Sequence, residues 1–133
     1  MIKIDPNIFK KHQVKLAYLF GSRAKGNAVE ESDYDVAILF EKETDGLDFL
    51  DRAAYLKEDL RPYFPNEVEV VPLNEADSIL KYEVISNGQV LYSYDEGYRV
   101  DFEVAAITGY IDDRHTLDIY YAALEKRVNE GVF

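Results

Sequence analysis

Two rhythms of apolar and polar positions run along the chain. Val14 to Phe20 and Val36 to Phe40 are short apolar runs of strand length. The second lacks polar alternation, which predicts a strand buried on both faces. Glu67-Val68-Glu69-Val70-Val71-Pro72-Leu73 reads as a third strand and Gln89 to Tyr92 as a short fourth. Elsewhere the spacing turns helical. Asp5-Pro6 predicts an N-cap with proline at the first helical position, opening a short helix to about His12. Leu47, Leu50, Ala54 (beside Ala53), Leu56 and Leu60 mark a helix from Leu47 to about Tyr63, after a polar, acidic loop from Glu41 to Gly46 and before Pro65. Asn74 reads as the cap of a helix from about Ala76 to Asn87, with Gly88 as its stop. From about Gly97 the pattern is helical to the end, Phe102, Ala106, Tyr110, Leu117, Tyr121, Leu124 and Val128 recurring at threes, fours and sevens. Gly109 weakens this stretch, and Asp112-Asp113 predict its division into two helices.

Composition narrows the class. At 133 residues the chain fits a single domain with a real core, and 47% hydrophobic residues argue against disorder. Neither a repeat nor an interdomain linker interrupts it, so the expected organisation is one domain over residues 1–133: an α/β core at 1–93 and a helical extension at 94–133. The absence of cysteine rules out disulfides, a thiolate zinc site and a cysteine nucleophile. No apolar stretch has signal-peptide or membrane-spanning character, so a soluble cytoplasmic protein with no membrane partner is expected. The net charge of −11 repels a nucleic-acid backbone and counts against DNA or RNA binding. That charge is uneven: up to Lys25 only Asp5 opposes six cations, Arg23 and Lys25 among them, beside a Gly21-Ser22 turn. His12 and His115 have no partner spacing and read as structural.

The candidate chemistry lies at that turn. Gly21-Ser22 ends the first strand, and the backbone freedom of glycine lets N–H donors approach a phosphate closely. Arg23 to Asn27 then begins a short helix that ends early at Gly26. Asp33 and Asp35 open the second strand at i and i+2, on one face of an extended chain, and make a pair of hard oxygen ligands suited to Mg²⁺. Either half alone reads equally well as a turn and two solvated acids. For both halves to serve one triphosphate, strands one and two must run antiparallel. The helical crossover then brings strand three alongside strand two in parallel.

Jointly, Gly21-Ser22, ten residues, and Asp33-Tyr34-Asp35 resemble the signature of the nucleotidyltransferases related to DNA polymerase beta. In a chain this short the likeness is greatest to the minimal nucleotidyltransferases, the antitoxin partners of HEPN-domain toxins. The resemblance implies an α/β (α+β) nucleotidyltransferase fold, with a small mixed sheet flanked by helices and a helical C-terminal extension. It implies that Asp33, Asp35 and a third acid are catalytic and hold Mg²⁺, two ions in all. Gly21, Ser22 and Arg23 would bind the nucleotide, ATP. Glu69 aligns with the third acid, where the family usually has aspartate; alternatively, Glu67 and Glu69 share a solvated strand face. The implied activity is transfer of AMP to a tyrosine of a HEPN ribonuclease toxin, within a hetero-oligomer. Tyr110, Tyr120 and Tyr121 on the C-terminal stretch are candidates for the toxin-binding surface. Two rival readings are a silent antitoxin that acts by binding and a small-molecule nucleotidyltransferase.

Overall fold

A computed structural model describes residues 2–42 and 48–131. The expected helix start at Leu47 and most of the acidic loop before it lie outside these residues, as do Met1 and the last two positions of the helical tail. The elements are α1 (Pro6–Lys11), β1 (Val14–Phe20), α2 (Ser22–Lys25), β2 (Tyr34–Phe40), α3 (Phe49–Leu60) with a 3-10 turn at Arg61–Tyr63, β3 (Val68–Pro72), α4 (Ser78–Asn87), β4 (Gln89–Ser93) and α5 (Glu96–Asn129). The strands form one mixed sheet in the order β3-β2-β1-β4. β2 runs antiparallel to β1 and parallel to β3, as the crossover requires, and β4 pairs antiparallel with β1.

Each face of the sheet has its own core. Val36, Ile38 and Phe40 pack with Phe9, Ala53, Leu56 and Leu60 on the α1/α3 side, while Leu16, Tyr18, Ala37 and Leu39 meet Leu73 and Val84 on the other. Val36 to Phe40 are all buried, as expected of a strand covered on both faces. Tyr18 is fully buried and donates a hydrogen bond to Glu103 of α5 (2.8 Å), which ties the sheet to that helix. Burial and the adjacent carboxylate push the Tyr18 phenol well above its usual range.

Three expectations need correction. The buried face of α3 is Ala53, Leu56 and Leu60 with Phe49 packed against the core, at 4-3-4 spacing, whereas Leu50 is 67% exposed and Ala54 is exposed too. Leu50 and Ala54 each follow a core position by one residue, about 100° further around the helix. The cap of α4 is Asp77, whose side chain accepts from Leu80 N–H (2.8 Å). Asn74 instead grips the end of β2, accepting from the Phe40 N–H and donating to its carbonyl, both at 2.9 Å. Asn74→Ala would leave both backbone groups of Phe40 without those bonds. It is expected to lower unfolding free energy by about 1–3 kcal/mol in denaturant titration, with no effect on the acidic site at the other end of β2.

Finally, α5 is one helix of 34 residues, not two. Nothing within it lacks an N–H, and a mid-helix glycine costs only about 1 kcal/mol, which the intact turns on both sides outweigh. Links four residues apart cross the expected break: Arg114 to the Tyr110 hydroxyl (3.1 Å) and the Thr116 hydroxyl to the Asp112 carbonyl (3.0 Å). No helix among the described residues is long and apolar enough to cross a membrane.

Candidate active site

Strand register assembles the site. Phe20, the last residue of β1, pairs with Asp35, so Gly21 turns away from the sheet beside that carboxylate. Asp35 in turn pairs with Glu69 on β3. In-register residues on neighbouring strands share a face about 5 Å apart. Asp33 lies just ahead of β2 and is exposed; Asp35 is half-buried. The three acids therefore lie at the same end of the sheet, where β1 stops and β2 and β3 begin.

Electrostatics gives the same picture. Asp35 has its carboxyl held above the usual range, first by burial and then by repulsion from Asp33 and Glu69. Negative charge is thus concentrated at a point where, among the described residues, no ion pair reaches Asp35. Among the described residues no three acidic or histidine side chains stand close enough together to form a ready cage for a metal. Mg²⁺ is usually held by one or two carboxylates together with waters and substrate phosphates, and Asp33 and Asp35 are the pair of oxygen donors this end of the sheet offers.

Gly21 adopts φ +73° and ψ −154°, a conformation essentially confined to glycine, and a side chain there would collide with an Asp35 carboxylate oxygen. The phosphate-cradle candidate and the acid are therefore in contact. Ser22 opens α2, whose backbone reverses so tightly that Ala24 and Lys25 both donate to the Gly21 carbonyl. The first N–H groups of such a turn have no acceptor within it and point outward.

Arg23 has a second occupation. Its Nη2 donates to the carbonyls of Glu30 (3.1 Å) and Ser32 (2.8 Å), and its guanidinium stacks over Tyr34 at 4.3 Å. Asn66, which the sequence did not single out, donates its amide to the same two carbonyls. Tyr34 points to the opposite face from the acids and packs on Phe64, with ring centroids 5.0 Å apart. The loop that delivers Asp33 is thus held through its carbonyls and through Tyr34. Lys25 is paired with Glu83 of α4 at 2.6 Å, a partner that lowers the Glu83 carboxyl. Glu69 is half-exposed, and Lys57 of α3 reaches the sheet edge to lie 3.5 Å from it and 3.7 Å from Glu67. Both sequence readings of Glu69 therefore have a physical counterpart: it adjoins Asp35, and it shares a solvated cation with Glu67. The sequence reading gave Arg23 to the nucleotide; its hold on the Glu30 and Ser32 carbonyls, and the reach of Lys57 to Glu69, depend on partners distant in the chain and were not legible. A cleft of about 620 Å³ elsewhere, lined by Ser78, Ile79, Tyr110, Leu117 and Tyr121 among others, contains none of the three acids.

Comparison with known proteins agrees with this geometry. Residues 3–97 match the family described as Polymerase beta, Nucleotidyltransferase. Over 97 residues the chain is 32% identical to the protein adenylyltransferase MntA of Shewanella oneidensis, an alignment that covers 71% of this chain and 63% of MntA. The chain thus spans less than two thirds of that relative's length. Among solved structures, a toxin-antitoxin with AMP-PNP superposes with TM-score 0.62 at 24% identity, covering 94% of this chain and 99% of the matched one. A tri-AMPylated HEPN toxin of Shewanella oneidensis in complex with MNT antitoxin superposes with TM-score 0.59 at 22% identity, covering 92% and 91% of the two chains. At these identities the structural likeness establishes the fold.

Proposed function

This chain belongs to the polymerase beta nucleotidyltransferase family, and on that premise we propose that it is an antitoxin that transfers AMP from ATP to a tyrosine of a HEPN-domain toxin. Support for the reaction comes from the contact of Gly21 with Asp35 and the convergence of Asp33 and Glu69 on the same carboxylate. Support for the acceptor comes from the likeness to a protein adenylyltransferase and to toxin-antitoxin complexes.

The residues divide the work. Gly21 and the first N–H groups of α2 receive the phosphates of ATP at close range. Arg23 and Asn66 hold the Glu30–Ser32 backbone and so aim Asp33. Mg²⁺ held by Asp33 and Asp35 would neutralise phosphate charge and stabilise the departing pyrophosphate. Glu69, at the exposed edge, accepts the phenolic proton of the incoming tyrosine. The tyrosine oxygen bonds to the α-phosphorus as the bond to pyrophosphate breaks. Such transfer is mainly positioning and electrostatics, within the means of a small fold. The setting is the cytoplasm, where ATP is abundant.

Incubation of the chain with α-labelled ATP, Mg²⁺ and the HEPN protein of a neighbouring reading frame tests this. Label is expected on a toxin tyrosine and is expected to vanish with EDTA. Label on a small molecule, or none with toxin present, overturns the assignment. One observation favours a second reading: the pairing of Glu69 with Lys57 is what a silent antitoxin acting by binding would show. In that case Asp33→Asn would still neutralise the toxin in cells while no label is transferred by the unaltered chain.

A further inference from the structure

The basic side chain best placed for a triphosphate is already held by an acid. α2 carries two cations, Arg23 and Lys25. Arg23 is committed to the Glu30 and Ser32 carbonyls and to the Tyr34 ring. Lys25 follows Ser22 by three residues in the same turn, and its own N–H donates to the Gly21 carbonyl (3.1 Å). Its ammonium lies 2.6 Å from one carboxylate oxygen of Glu83 on α4. The other oxygen of Glu83 accepts from the Asn87 amide at 3.1 Å, so the acid is held from two sides.

This pair stands on the acidic side of the sheet. Asp35, Ala37 and Leu39 alternate onto one face of β2, and Ala37 and Leu39 pack with Val84, the neighbour of Glu83. Past the end of α4, a Cβ on Gly88 would lie 3.1 Å from the Leu19 carbonyl, two residues before Gly21. The last turns of α4 therefore border the Gly21-Ser22 turn. A carboxylate is poorly placed there by itself, because the C-terminal end of a helix carries partial negative charge. α4 has no basic residue in its own last turn, and Lys25 is the cation that holds the Glu83 carboxyl below its usual range. Side-chain exposure of 42% and 39% leaves the pair half in water, weak enough to exchange partners. We propose that Glu83 competes with the phosphates of ATP for Lys25, so that the ammonium passes from carboxylate to triphosphate on binding and Glu83 sets the affinity of the site. This rests on the adenylyl-transfer reading above.

The test measures AMP-PNP binding with Mg²⁺ by calorimetry in four chains: unaltered, Glu83→Gln, Lys25→Met and the double variant, each checked for fold by circular dichroism. Glu83→Gln is expected to bind about two- to fivefold more tightly, the scale of a half-exposed ion pair, and to lower KM for ATP in step. A pair that serves only to hold α2 against α4 predicts the reverse, because its loss loosens the turn. Lys25→Met is expected to bind more weakly, and in that background Glu83→Gln should bring little of the gain, since the acid acts through the lysine. An equal gain in both backgrounds means that Glu83 acts by bulk charge, and it overturns the competition. So does a Glu83→Gln chain that binds no tighter than the unaltered one. An unaltered chain that binds no AMP-PNP removes the adenylyl-transfer reading together with this one, whereas AMP transfer to the HEPN protein with affinity unchanged by Glu83→Gln removes only the role of Glu83.

Discussion

Asp35→Asn is expected to abolish AMP transfer and, at the same time, to raise the thermal stability of the chain measured without divalent cation. Loss of activity should reach about a thousandfold or more, the scale on which removal of a group that stabilises developing charge is felt. The gain in stability follows from the electrostatics of the site. In the folded chain Asp35 is partly desolvated and faces Asp33 and Glu69, so its proton is held more tightly than in the unfolded chain. A carboxyl raised in this way favours folding while protonated and penalises it once ionised. Stability contributed by the bound proton is therefore present at acidic pH and is lost as pH rises through the raised value. Asparagine cannot ionise, so the variant should lose that component of the pH dependence and melt higher than the unaltered chain at neutral pH. Paired carboxylates behave oppositely: Asp59, lowered by His12 and Lys11, stabilises the fold less as pH falls. The difference between variant and unaltered chain isolates Asp35 from such groups. Melting curves from acidic to neutral pH, with and without Mg²⁺, check both signs. A variant that still labels its toxin removes Asp35 from the reaction, and one that melts lower removes the electrostatic account.

Much of this fold can be read from particular residues. The unbroken run from Val36 to Phe40 fixed a doubly covered strand, and the need for Gly21 and Asp35 to serve one phosphate chain fixed its antiparallel partner. Asp5 and Gly26 ended their helices as local chemistry dictates. The misreadings share a cause. Asn74 has the side chain of a cap, but the tertiary fold brings the open backbone of Phe40 within its reach. Asp112-Asp113 have the composition of a break, yet exposed acids on an otherwise continuous helix cost little. In the site, Asp33 and Asp35 stood out because their i, i+2 spacing is local, whereas Glu69 was singled out only through the family resemblance. Asn66 was invisible, because its partners at Glu30 and Ser32 lie in a loop distant in sequence, and no periodicity records such a meeting.

Gly21→Ala is expected to disrupt the turn and the acidic site together. Two costs coincide there. The backbone at φ +73° and ψ −154° is open to glycine and strained for alanine, a penalty of about 1–3 kcal/mol in unfolding free energy. Independently, the new Cβ would occupy the space of an Asp35 carboxylate oxygen. Pairing of Phe20 with Asp35 across β1 and β2 fixes the Asp35 backbone but not its side chain, so the site yields by rotating the carboxylate or by moving the turn. Either response misaligns the acid with the phosphates, and a displacement of about 1 Å costs about a hundredfold in rate. Gly26 supplies the control. It also has positive φ (+78°), but no atom lies within 4 Å of its absent Cβ. Gly26→Ala should therefore lose a comparable share of stability while retaining most of its AMP transfer. Equal activity loss in the two variants would mean that backbone strain alone matters and that contact with Asp35 does not. A Gly21→Ala chain that is destabilised yet fully active would separate the turn from the chemistry altogether.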